Sequence, residues 1–192
     1  MLERKKRMRL WTYLLDPPVL AMLTFVFLYL MRPVERNLGA CLTGVICLGL
    51  VPLTAWFHMV HHPGDYKGER KIGFVLSVAG YAAGTAIMLV FFRRSPLNVA
   101  LMLSYLFTVV ALTAVNLMHY KASGHGAGVA GPATALTILY GWPGAICYLL
   151  LVPVAIAKTD IKEHTLGQIC TGACLSTVST LASFWLTGML HF

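Results

Sequence analysis

The chain has 192 residues, of which 58% are hydrophobic and only 11% charged, with a mean hydropathy of +0.73. Soluble domains carry about 25% charged residues, so too little polar surface is present to cover a water-soluble globule of this length. That excludes a cytosolic enzyme, a disordered chain and a disulfide-framed secreted module, and predicts a single integral membrane domain over residues 1–192. In such a chain the net charge of +8 suits anionic headgroups or an anionic substrate rather than nucleic acid.

A helix needs roughly 20 apolar residues to cross the hydrocarbon core. Residues 1–16 read as a basic, partly interfacial N-terminal segment that carries Arg4-Lys5-Lys6-Arg7-Met8-Arg9. No small-residue cleavage site follows its apolar stretch, so a retained anchor is expected rather than a signal peptide. Asp16-Pro17-Pro18 separates Leu10–Leu15 from an apolar run at 19–31, which predicts an interfacial helix, a turn and then a short span. Further spans are expected at 38–57, 73–92 and 97–118, then a softer Gly- and Ala-rich one at 126–141, then 143–157 and 165–190. The fold class is therefore all-α, a polytopic membrane bundle of six or seven transmembrane helices. Gly80 and Gly84 form one GxxxG pair and Gly124 and Gly128 another, and Ser176, Ser179, Thr180 and Ser183 make the last helix small and polar. Both features predict close helix packing. Cys41, Cys47, Cys147, Cys170 and Cys174 lie in apolar stretches without a CxxC pair and read as packing residues.

Alternating these spans puts the N-terminus, 58–72, 119–125 and 158–164 on one face. That face holds the five N-terminal cations plus Lys67, Arg70, Lys71, Lys121, Lys158 and Lys162. Arg32, Arg36, Arg93 and Arg94 fall on the other face. The positive-inside rule assigns the richer face to the cytoplasm. Setting aside the six loop cations, which are also candidate ligands, leaves five against four.

Three connectors on that face gather the chemistry: 58–72, 119–126 and 158–168. Ser123-Gly124-His125 directly precedes a helical segment, where free backbone N–H groups and the positive helix end make an anion pocket. Lys121 adds a point charge, and His125 is placed to protonate a leaving oxygen. The plainer reading of this stretch is a Ser123 helix cap beside an interfacial histidine. In the third connector a helix beginning near Glu163 would set His164 and Gln168 one turn apart on one face. Gln168 would then orient His164 as a phosphoryl acceptor, with loop residue Lys158 holding the phosphate. Its plainer reading is a charged helix start with snorkelling lysines.

Together these segments resemble the type 2 phosphatidic acid phosphatase (lipid phosphatase and haloperoxidase) superfamily. Its second motif, Pro-Ser-Gly-His, is similar to Ala122-Ser123-Gly124-His125. Its third motif, Ser-Arg, five residues, His, three residues, Asp, keeps its spacing as Ala157-Lys158, five residues, His164, three residues, Gln168. The resemblance covers about residues 119–172 and implies a phosphatase-like core over about 58–190. It implies His164 as the nucleophile, His125 as the acid, and Lys121, Lys158, Ser123 and Gly124 around the phosphate. It implies no metal or other cofactor. Lysine at 158 lacks the bidentate fork of arginine, and Gln168 cannot stabilise an imidazolium by charge. The family's first motif, Lys, six residues, Arg-Pro, is absent, and Arg70 and Lys67 are the candidates for its work.

The expected function is a membrane phosphatase or phosphotransferase acting on a lipid phosphate or diphosphate, isoprenoid or glycerolipid, with the bilayer and that lipid as its partners. One alternative is a non-catalytic lipid-phosphate-binding protein of the same fold. The other is a metal-dependent lipid oxidase or hydroxylase built on His58-x-x-His61-His62, whose spacing matches one histidine box of membrane di-iron enzymes. With seven histidines in all, His191 remote and no HxxxH outside this run or second HxxHH, the chain has fewer imidazoles than such a site requires.

Overall fold

A computed structural model describes residues 13–190. These residues form helices and no strand. Tyr13 and Leu14 are helical and are followed by a turn at Leu15; the rest of the expected interfacial helix lies outside the described residues.

Seven helical segments follow. Helix α1, Pro17–Met31, begins with prolines at its first two positions, where no backbone N–H is required. Helix α2, Leu38–His61, is capped by Asn37, whose Oδ1 accepts from Ala40 N at 3.0 Å. Its middle widens into a π-helical stretch at Val45–Leu50 just before Pro52, which cannot donate to the helical ladder. Helix α3 is Tyr66–Phe91 and α4 is Pro96–Leu117. Helix α5 is Gly124–Tyr140, α6 is Trp142–Asp160 and α7 is Leu166–Leu186. Five of these, α2, α3, α4, α6 and α7, are long and apolar enough to cross a membrane, as an integral membrane protein requires. Helix α1 has 15 residues and α5 has 17.

Three boundaries differ from expectation, and each moves a candidate residue. Helix α3 starts at Tyr66 rather than 73, because Asp65 caps it by accepting from Gly68 N at 3.0 Å. Lys67, Arg70 and Lys71 therefore stand on the first two turns of a helix, not in a loop. Lys158 likewise lies in the last turn of α6. Helix α7 starts at Leu166, not near Glu163, because Thr165 and Gln168 form a reciprocal capping box. His164 thus precedes the cap.

Helix α7 packs most extensively on α4 and α5, while α1 covers α5 and the π stretch of α2. The polar face of α7 points inward: Ser176, Thr180 and Ser183 are buried. Thr180 and Ser183 donate back to their own helix, to Ser176 O at 2.9 Å and Ser179 O at 2.7 Å, so no hydroxyl proton of theirs is stranded among apolar neighbours. Gly80 on α3 sits against the Cys47 carbonyl of the π stretch, leaving no room for a Cβ. The outward faces are apolar, with Val75, Val110 and Val178 exposed.

Candidate active site

A cavity of about 570 Å³ opens at the end of the bundle where residues 13–18, the second half of α2, the first turns of α3, residues 116–125 and the α6–α7 turn meet. Two glycines fix its frame. A Cβ at Gly172 on α7 would collide with the Ser123 main chain, and one at Gly126 on α5 with the Ile169 carbonyl. The N-termini of α5 and α7 therefore touch backbone to backbone. Ser123 N donates to Gln168 O at 3.0 Å across this contact. The stretch that carries His125 is thus tied to the one that carries His164.

The protonation of the His164 ring follows from its neighbours. Gln168 Oε1 accepts from Thr165 N at 3.1 Å, so the oxygen of that amide points at the helix start. The same Oε1 lies 3.2 Å from His164 Nδ1, so Nδ1 carries the proton. Nε2 is then the lone-pair nitrogen, and it lies 3.4 Å from an Arg70 guanidinium nitrogen, which donates to it. His164 is buried at 7% exposure. Burial, with the Lys121 and Arg70 cations beside it, depresses its pKa to about 4, so the ring is neutral at pH 7. The ring lines the cavity, and its one lone pair accepts from Arg70.

The cations converge on Glu163. Lys158 Nζ lies 2.8 Å from Glu163 Oε2, an Arg70 guanidinium nitrogen 3.7 Å from the same oxygen, and Lys121 Nζ donates to the Glu163 carbonyl at 3.0 Å. The tight turn that makes this possible has Lys162 at φ 59°, which folds Glu163 back over Lys158. Burial would raise the Glu163 carboxyl, but the Lys158 hydrogen bond and the charges of Lys158 and Arg70 outweigh it and hold the pKa below the ordinary value. Glu163 is ionised at neutral pH.

Of the residues singled out in the sequence, His164, His125, Lys121, Gly124, Lys158 and Arg70 all line the cavity. Gln168 stands behind His164. Ser123 is fully buried and accepts from Gly126 N at 3.3 Å; it caps α5 and does not line the cavity. Lys67, near Arg70 on α3, does not line it either. The histidine cluster lies elsewhere: His58 Nε2 pairs with Asp65 Oδ2 at 2.9 Å, its ring stacks on His62 at 4.5 Å, and His61 Nδ1 contacts the Phe57 carbonyl at 2.9 Å. Among the described residues no three His, Cys, Asp or Glu side chains converge as metal ligands.

Three acids in the cavity were not singled out in the sequence: Asp16, Glu69 and Glu163. Asp16 Oδ1 lies 3.7 Å from His125 Nε2. The signal for Asp16 was present, since it is the one charged residue between Leu10 and Met31 and such residues mark sites by default. Pro52, Ala55, Phe74 and Leu112 give the cavity an apolar wall beside its ionic floor.

Comparison of the chain with protein-family models, curated proteins and solved structures returned no match.

Proposed function

We propose that this chain is a membrane phosphatase or phosphotransferase that acts on a lipid phosphate or diphosphate through a phosphohistidine at His164. The observation that carries the reading is the neutral His164, with Nε2 facing a cavity that also holds Arg70, Lys121, Lys158 and His125. The apolar wall fits the first carbons of an isoprenoid or glycerolipid chain. The resemblance of residues 119–172 to the type 2 phosphatidic acid phosphatase superfamily supports the same chemistry.

In this mechanism the Arg70 guanidinium turns from the His164 Nε2 lone pair to the phosphoryl oxygens, Nε2 attacks phosphorus, a nitrogen–phosphorus bond forms and the bond to the leaving oxygen breaks. Arg70, Lys121 and Lys158 neutralise the charge on the phosphoryl oxygens. A proton from His125 passes to the leaving oxygen, releasing a lipid alcohol, or a lipid monophosphate where the substrate is a diphosphate. Water then attacks the phosphohistidine and returns a proton to His125. Inorganic phosphate leaves and neutral His164 is restored. Gln168 keeps the Nδ1 proton in place throughout but adds no charge, so the phosphorylated ring is less stabilised than a carboxylate would make it.

All seven helical segments span the bilayer in this reading. The cavity then opens on the basic face, which the cation tally assigns to the cytoplasm.

The test is inorganic phosphate release by the purified protein in detergent with EDTA present, beside His164→Ala. Polyprenyl phosphates and diphosphates, phosphatidic acid and phosphatidylglycerol phosphate are the substrates to offer. Release that the variant abolishes is the expected result, and a folded wild type that releases nothing from any of them overturns it. The Glu163 carboxylate on the cations favours one second reading, a lipid-phosphate-binding protein without turnover. That protein would bind these lipids and release no phosphate.

A further inference from the structure

The N-terminal segment delivers a carboxyl group to the acid side of the cavity. Asp16 is the N-cap of α1 in extended backbone, the conformation that a following proline favours. It makes no side-chain cap to its own helix, so its carboxyl is available elsewhere. Pro17 packs against Gly128 of α5, where a Cβ would collide with the proline ring. Gly128 lies three residues after His125, on the same helix face. The Pro17–Gly128 contact therefore sets Asp16 beside His125: Oδ1 and Nε2 are 3.7 Å apart, with both side chains about one-fifth exposed.

We propose that Asp16 and His125 form one proton-holding pair, which supplies the proton to the leaving oxygen and recovers it from the attacking water. This deepens the phosphatase reading and rests on it. At 3.7 Å the two groups lie within ion-pair distance and outside hydrogen-bond reach, so they attract when the shared proton is on the imidazole, while a proton on the carboxyl leaves two neutral neighbours. Either arrangement presents that proton to the same space in the cavity. When the oxygen–phosphorus bond breaks, the proton moves to the leaving oxygen and the pair is left without one. When water attacks the phosphohistidine, its proton returns to the pair and its hydroxyl leaves on phosphate.

The surroundings favour retention of one proton. Burial lifts the Asp16 carboxyl to about 7, Glu69 of α3 adds to the rise, and Lys158 of α6 and the Trp56 side chain of α2 oppose it. Arg70 of α3, His119 and Lys121 before α5, and Glu163 and His164 before α7 line the same cavity, as does Tyr13 one turn upstream of Asp16. At neutral pH the carboxyl is thus poised between its two forms rather than fully ionised.

Histidine-labelled full-length protein in detergent micelles tests this by NMR, with His125→Gln assigning the His125 ring. The wild-type ring should titrate in two coupled steps, and Asp16→Asn should collapse them to one and lower the main midpoint by about one unit. Asp16→Glu should retain the coupling. A single step near the ordinary imidazole value of about 6.5 in the wild type, or an unchanged curve in folded Asp16→Asn, overturns the pair. The wild-type curve decides even where the variant does not fold. In turnover, Asp16→Asn should lose at least about tenfold on an alkyl phosphate and much less on p-nitrophenyl phosphate, whose leaving group needs no proton. Equal losses would reduce Asp16 to a structural residue. A wild type that releases no phosphate sinks the phosphatase reading, while the titration still decides the pair.

Discussion

The Glu163 carboxylate lies 2.8 Å from the Lys158 ammonium, and through that contact an acid occupies the place where the cations would meet a phosphate. Arg70 reaches the same oxygen. A phosphoryl group entering the cavity must displace or share these contacts. Glu163→Gln keeps the shape of the side chain and removes its charge. The variant should bind inorganic phosphate and vanadate about tenfold more tightly, a difference of about 1.4 kcal/mol, as read from inhibition constants or calorimetry. Unchanged affinity would mean that the cations and Glu163 act as a structural ion cluster.

Gln168 makes a second prediction. Its Oε1 accepts from both Thr165 N and His164 Nδ1, and a glutamate side chain in its place would accept both bonds with the same geometry while adding a negative charge. Glutamate is also a normal partner in a capping box, so Gln168→Glu should fold as the wild type does. The added charge favours the imidazolium. The His164 midpoint should rise from about 4 by about one unit, seen in the histidine NMR spectrum, and phosphoryl transfer to the ring should speed up. A midpoint that does not move would show that Gln168 is not the partner of Nδ1.

The helical class, the polar connectors and six of the cavity residues were legible in the sequence, because apolar runs and clustered histidines and lysines are local signals. What escaped was set by folding back. Glu163 reads as part of a charged helix start until the positive φ of Lys162 turns it onto Lys158. Asp16 reads as a break between two apolar runs until Pro17 meets Gly128. In one dimension Ser123 fits a helix cap more plainly than a phosphate ligand, and its complete burial with the bond it accepts from Gly126 N shows the cap. Helix starts were misplaced where a cap several residues away decided them, as Asp65 does for α3.

The contact between Gly172 and the Ser123 main chain makes a prediction about the frame rather than the chemistry. Gly172→Ala puts a Cβ where backbone already stands. Overpacking of this kind costs about 1–3 kcal/mol. Thermal unfolding in detergent should begin at a lower temperature. The stretch of chain at 120–123 should also move away from α7, lowering turnover more than Gly167→Ala, at a position that does not line the cavity and where an added Cβ meets only Tyr120 Oη at 3.6 Å and Thr165 Oγ1 at 3.9 Å. Equal behaviour of the two variants would mean that the α5–α7 contact does not hold the site together.

The pH profile follows from two groups with opposite requirements. In the proposed mechanism His164 attacks only when its Nε2 is unprotonated. Burial first, and then Lys121 and Arg70, place its midpoint at about 4, so the reactive fraction grows as pH rises through that value. The acid side must hold a proton, and desolvation raises the Asp16 carboxyl of the Asp16–His125 pair to about 7. Glu163, held below its ordinary value, stays ionised across most of this window. On an alkyl phosphate, kcat/KM should therefore climb through about pH 4, plateau, and decline through about pH 7. The acid limb belongs to the nucleophile, so it should persist with p-nitrophenyl phosphate. The alkaline limb belongs to leaving-group protonation, so with that substrate it should flatten. An alkaline limb of equal depth on both substrates would assign it to phosphate binding instead.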